Sequence, residues 1–109
     1  MSTISTHVLD TALGKPASGV RVTLSRDHSL IGSGVTDDDG RVRDLLQGGS
    51  SLAEGEYKLT FSVGDYFGAS KRSSFYTQIV VSFQIAEGTD HYHVPLLVSP
   101  YGYSTYRGS

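Results

Sequence analysis

Cysteine is absent from the 109 residues, so no disulfide staples this chain and no thiol performs its chemistry. That absence fits a reducing compartment. Asparagine is absent too, which removes every N-glycosylation acceptor. No run of like charges suggests an interaction tail, and the 9 basic and 11 acidic side chains leave a formal net charge of −2. A nucleic-acid partner requires a basic face or stripe, and none is visible. No apolar stretch approaches the roughly 20 residues that a spanning helix needs, so no membrane role is expected. Residues 1–10 lack a basic region followed by an apolar core, so they do not read as a signal peptide. A Gly-x-Ser-x-Gly elbow and a phosphate-cradling glycine loop followed by Lys-Ser or Lys-Thr are both missing. These absences together predict a soluble, cytoplasmic protein.

The length suits one domain spanning residues 1–109. A sandwich of this size has little room for a deep private cleft, so a site is more easily built between subunits. Thirteen glycines separate short runs of β-branched and aromatic residues, the pattern of an all-β domain with many turns. Strands are expected over residues 4–10, 20–25, 30–36, 57–62, 79–83, 91–98 and 101–106, with a short extended piece at 41–45. Residues 47–55 read as a polar, glycine-rich loop, and 65–70 as a short helix. Seven or eight short strands in a chain this long imply a two-sheet sandwich.

Period-two alternation then sorts the polar residues by face. In Ser5-Thr6-His7-Val8-Leu9-Asp10, His7 shares a face with Ser5 and Leu9. In His91-Tyr92-His93-Val94-Pro95-Leu96-Leu97, His91 and His93 share a face and Tyr92 takes the other. Two histidines so spaced can converge on zinc if a third ligand, such as His7, joins them; the plainer reading is a solvated polar face. Asp37-Asp38-Asp39-Gly40 is not a calcium loop. With Gly40 at the sixth position, the first and twelfth are Val35 and Leu46, which offer no side-chain oxygen. A tight turn is the better account. Arg41 follows it directly, and Arg43 falls on the same face if the segment is extended. The last eleven residues carry Tyr101, Tyr103, Tyr106 and Arg107. Chain ends are ordinarily frayed and polar, so this one is either docked against something or a sticky free tail.

Taken in order, Ser5-Thr6-His7-Val8-Leu9-Asp10, Gly14-Lys15-Pro16-Ala17, residues 36–41, His91-Tyr92-His93-Val94-Pro95-Leu96-Leu97 and the closing Tyr106-Arg107-Gly108-Ser109 resemble the 5-hydroxyisourate hydrolases, the transthyretin-related proteins of purine catabolism. The resemblance covers nearly the whole chain. Its most specific part is the closing tetrapeptide, which separates these enzymes from the hormone carrier. It implies a transthyretin-like sandwich of two four-stranded sheets with one short helix. It also implies a homotetramer in which two edge-paired dimers pack face to face, with active sites in the channel between them. The functional positions it carries over are His7, Arg41, His93 and Tyr106-Arg107-Gly108-Ser109, all holding the expected residue. His91 is the less favoured histidine of its pair.

The implied reaction opens the six-membered ring of 5-hydroxyisourate at a cyclic amide, giving 2-oxo-4-hydroxy-4-carboxy-5-ureidoimidazoline. Histidine suits a step that takes and returns protons near neutrality. On this reading His7 and His93 hold and deprotonate water, and Arg41 stabilises the developing negative charge. Tyr106, Arg107 and Gly108 contact substrate, while Ser109 with its terminal carboxylate fixes substrate and water. No cofactor or metal is required. The rivals are a non-catalytic transthyretin-like carrier, a structural sandwich with solvated histidines, and a zinc-dependent hydrolase.

Overall fold

Two sheets face one another in the computed structural model, which describes residues 2–46 and 51–109. The first contains β1 (Thr3–Asp10), β2 (Lys15–Pro16), β5 (Arg41–Val42), β8 (His91–Ser99) and β9 (Gly102–Thr105). Its order is β2-β1-β8-β9, with β5 also pairing with β1. The second contains β3 (Arg21–Arg26), β4 (Ser29–Val35), β6 (Gly55–Phe61) and β7 (Ile79–Ile85), in the order β4-β3-β6-β7. One helix, α1 (Val63–Ala69), links β6 to β7. No helix among the described residues is long and apolar enough to cross a membrane.

The all-β sandwich with one short helix is as expected, with small departures. The first sheet has five strands rather than four, because Lys15 and Pro16 fold back onto Asp10 and Leu9. The helix begins two residues before the glycine-bearing segment suggested, since Val63 and Phe67, one turn apart, both bury against the core. In the expected loop at 47–55, Leu52 bridges Ser2 and Gly55 opens β6, while 47–50 lie outside the described residues.

The core fills the space between the sheets. Ile4 and Val8 from β1, Leu24 from β3, Leu59 and Phe61 from β6, and Leu96 and Val98 from β8 are fully buried. Each such side chain stabilises the fold by about 1.5–3 kcal/mol relative to exposure. With alternate residues committed inward, the others on β1 and β8 must face out. The parallel pairing of β1 with β8 aligns Thr3 with His91, Ser5 with His93 and Asp10 with Val98. It therefore sets the two polar strand faces side by side, although 88 residues separate each aligned pair in the chain.

The far end of β1 is tied down by a buried carboxylate. Asp10 Oδ1 accepts from the Ala12 and Leu13 N–H groups, both at 3.1 Å. Oδ2 accepts from Tyr66 at 2.8 Å and Arg72 at 2.6 Å. The Arg72 guanidinium also lies 4.9 Å over the Phe67 ring, joining helix to strand. Burial alone would raise the Asp10 pKa, but hydrogen bonds from Arg72, Tyr66 and the Leu13 N–H outweigh it and hold the pKa below the usual 3.8. A depressed folded-state pKa means the contribution is fully present above about pH 4 and lost as pH falls through the folded value. We expect Arg72→Ala to cost about 3 kcal/mol, because it strips the strongest donor from a buried charge. Urea unfolding at neutral pH measures that loss.

Candidate functional site

The outward face of β1 and β8 brings hydroxyl and imidazole groups together. Ser5 Oγ lies 2.8 Å from His93 Nδ1 and 2.9 Å from His91 Nε2. Thr3 Oγ1 lies 2.6 Å from His91 Nδ1. Among the described residues, none hydrogen-bonds His93 Nε2.

On the other side of β1 stands the acidic turn. Asp37 Oδ1 accepts from the Asp39 N–H at 2.9 Å and the Arg41 N–H at 3.0 Å, a side-chain-closed turn rather than a cation loop. Gly40 completes it at φ 78°, where a Cβ would stand 2.3 Å from the Val8 carbonyl oxygen. The Gly40 carbonyl accepts from the Val8 N–H at 2.7 Å. This close approach lets β5 pair with β1, setting Arg41 opposite His7 and Val42 opposite Thr6. β1 thus separates the arginine on one flank from the histidine pair on the other.

The tail closes the site. β9 returns antiparallel along β8, pairing Ser99 with Gly102 and Leu96 with Thr105. Thr105 Oγ1 then donates to the Pro95 carbonyl at 2.8 Å, and the Gly108 N–H donates to the His93 carbonyl at 2.7 Å. The tail is therefore docked, and Ser109 reaches the histidines. Ser5, Thr6, Arg41, Arg43, His91, His93 and Ser109 line one cleft of about 250 Å³. Gly108 permits this fit, because a Cβ there would sit 2.7 Å from His93 Cδ2 and 3.3 Å from Pro95 Cγ. Gly108→Ala should therefore push the tail or the imidazole out of place. We expect about a tenfold or greater drop in kcat with a Tm within a few degrees of the parent, read by steady-state kinetics and thermal unfolding.

Not every expected residue enters that cleft. His7 lines the neighbouring depression with Pro16, Asp39, Arg41 and Arg43, so the two arginines border both spaces. His7 Nε2 lies 2.8 Å from the Asp39 carbonyl oxygen. A carbonyl only accepts, so Nε2–H donates to it and Nδ1 is the nitrogen left outside that bond. Tyr106 and Arg107 turn away from His93 within the chain and line a separate, mainly apolar cavity with Phe83, Tyr92 and Val94. Arg107 donates to Asp90 at 2.8 Å and lies 4.4 Å over the Tyr92 ring, which explains its departure from the cleft: it fastens the tail to the start of β8. The structure adds His91, Ser5 and Arg43 to the cleft. Alternation signalled each of them by its shared face with His93, His7 or Arg41, but sequence alone gave no reason to prefer them.

Electrostatics favour a neutral His93. Burial lowers its pKa below the ordinary 6.5, and electrostatic repulsion from Arg41, then from the His7 and His91 rings, pushes the same way. At neutral pH the ring is thus uncharged, with one of its two nitrogens bare. No three His, Cys, Asp or Glu side chains among the described residues cluster as metal ligands, so a zinc set of His7, His91 and His93 is not assembled.

Similarity to known proteins follows the same geometry. Residues 4–108 match the model of the HIUase/Transthyretin family. A 5-hydroxyisourate hydrolase of Rhizobium meliloti is 47% identical over 114 residues, covering 97% of this chain and 95% of that protein. The structure of Klebsiella pneumoniae 5-hydroxyisourate hydrolase superposes with a TM-score of 0.93 at 43% identity, covering all of both chains. Sea bream transthyretin in complex with thyroxine superposes with a TM-score of 0.88 at 28% identity, over 96% of this chain and 93% of that one.

Proposed function

Since the chain belongs to the HIUase/transthyretin family, we propose that it hydrolyses 5-hydroxyisourate in purine catabolism. The product is 2-oxo-4-hydroxy-4-carboxy-5-ureidoimidazoline. The observation that carries this reading is the cleft where His93, Arg41 and the docked Ser109 meet. A carrier needs apolar walls; these walls are hydroxyl, imidazole and guanidinium groups.

His93 Nε2 takes a proton from water as the oxygen attacks the ring carbonyl carbon. The carbonyl oxygen gains negative charge, which the Arg41 guanidinium stabilises with its fork of donors. Collapse breaks the C–N bond, and the proton held by His93 passes to the leaving nitrogen. Water has then been added across the amide, and the enzyme returns to its starting state. His7, its Nε2 committed to Asp39, presents Nδ1 and orients substrate or water beside Arg41. Gly108 seats the His93 ring, Arg107 holds the tail that brings Ser109 to the cleft, and Tyr106 lines the cavity beside it. No cofactor or metal takes part. A homotetramer, a dimer of dimers, sets this open sheet face towards a second copy across a channel. The setting is cytoplasmic, in keeping with a chain that uses no cysteine.

The test is ultraviolet absorbance of 5-hydroxyisourate freshly made from urate by urate oxidase. Catalytic amounts of the protein should accelerate its decay with many turnovers per site. Decay at the uncatalysed rate, with ligand bound one for one, would establish the carrier instead.

A further inference from the structure

The hydroxyl of Ser5 is held between two imidazoles, 2.8 Å from His93 Nδ1 and 2.9 Å from His91 Nε2. The far nitrogen of His91 is 2.6 Å from Thr3 Oγ1. Thr3 and His91 are exposed, whereas Ser5 retains 8% exposure and His93 is half-buried. An unbroken run of hydrogen bonds therefore leads from solvent to the ring that faces the cleft. We propose that Thr3, His91 and Ser5 are a proton relay that sets and resets the protonation of His93. The inference rests on the hydrolytic reading of the same cleft.

A serine hydroxyl has one proton, so Ser5 can donate to only one ring at a time, and when it does so it accepts from the other. Two arrangements satisfy every partner. In one, His93 Nδ1–H donates to Ser5, Ser5 donates to His91 Nε2, and His91 Nδ1–H donates to Thr3. His93 Nε2 is then bare and can act as a base. In the other, every bond is reversed: Thr3 donates to His91 Nδ1, His91 Nε2–H donates to Ser5, and Ser5 donates to His93 Nδ1. His93 Nε2 then carries a proton and can act as an acid. The two rings always bear their proton on the same-named nitrogen. When His93 Nε2 takes a proton from water, the Nδ1 proton moves to Ser5, the Ser5 proton to His91 Nε2, and the His91 Nδ1 proton through Thr3 to solvent. The reverse sequence returns a proton to Nδ1 as Nε2 protonates the leaving nitrogen. The count balances, and His93 need not carry a full charge beside Arg41.

Ser5 and His91 are positioning residues on this account, and the experiment has two arms on the full-length protein. Nitrogen-15 NMR of the substrate-free imidazoles should show His91 and His93 protonated on the same-named nitrogen, with Ser5→Ala abolishing that correlation. Kinetics should show kcat falling about tenfold or more in Ser5→Ala and in His91→Gln, with KM little changed. The double variant should be no worse than either single one, and Ser5→Thr should restore the rate. Rings protonated on opposite nitrogens would overturn the relay, as would single-variant losses that multiply or a Ser5→Ala enzyme of full kcat. A wild-type protein that turns over no 5-hydroxyisourate while its rings remain correlated would sink the hydrolase reading and leave the hydrogen-bond relay standing.

Discussion

His93→Ala should lower kcat by about 10²–10⁴-fold, the span over which a positioned general acid–base group acts. The Tm should change little, because the ring lies on the outer face of the first sheet and fills no core space. The side chain has one nitrogen engaged by Ser5 and the other open to the cleft, so its loss removes proton transfer without unpairing a buried group. His93→Gln is the sharper control: it keeps a polar side chain of similar reach but cannot shuttle a proton. The pH profile carries a signed prediction. Burial, then the charge of Arg41, depress the His93 pKa, so the active free base persists below pH 6.5. Wild-type kcat/KM should stay flat from neutrality to below that value and fall only on more acid titration. Stability follows the same sign. Below pH 6.5 the unfolded chain takes up a proton that the folded ring resists, so His93 makes the fold less stable as pH falls towards its depressed pKa.

Arg41→Ala should cost about 10²–10³-fold in kcat, comparable to losing one preorganised donor to a developing oxyanion. Arg41→Lys should recover only part of this, since an ammonium keeps the charge but cannot present two parallel N–H donors to a planar substrate. The backbone that holds Arg41 is rigid for reasons in the turn: the Asp37 carboxylate accepts its N–H at 3.0 Å, and Gly40 allows β5 to meet β1 opposite His7. Gly40→Ala should therefore lower activity by displacing Arg41, with a parallel loss of stability that Arg41→Lys does not share. Comparing the two by kinetics and thermal unfolding separates charge from placement. The exposed Arg43 borders the same cleft, with a loose 3.9 Å ion pair to Asp39. It is available to supplement Arg41, so the losses in an Arg41→Ala, Arg43→Ala pair should exceed the single change.

Much of this was legible from alternation alone. The faces of Ser5-Thr6-His7 and His91-Tyr92-His93 follow from period two, as does the burial of Tyr92, Val94 and Leu96 between them. The acidic turn before Arg41 was legible from its composition. What alternation cannot supply is register between strands far apart in the chain. Only the packed sheet aligns Ser5 with His93, and this alignment turns an unremarked serine into the partner of two histidines. Nor does a strand pattern say where a side chain's second nitrogen goes, so the commitment of His7 to the Asp39 carbonyl was invisible. The tail was ambiguous by composition. Its docking depends on one backbone bond to His93 and on the absence of a Cβ at Gly108. The family resemblance grouped Tyr106 and Arg107 with Ser109 as one closing tetrapeptide. Asp90 and the Tyr92 ring instead draw Arg107 away from the cleft, and Tyr106 lines the same apolar cavity beside it.

The central claim is that chemistry occurs at His93 and Arg41 on the sheet surface, and not in the apolar cavity beside Tyr106. A crystal structure with a planar purine-like analogue that resists hydrolysis locates the site most directly. The account predicts the ring seated in the Arg41–His93–Ser109 cleft, a carbonyl oxygen on the guanidinium and the carbonyl carbon within a water's reach of His93 Nε2. An analogue lodged instead among Phe83, Tyr92 and Tyr106, with the cleft empty, would contradict it.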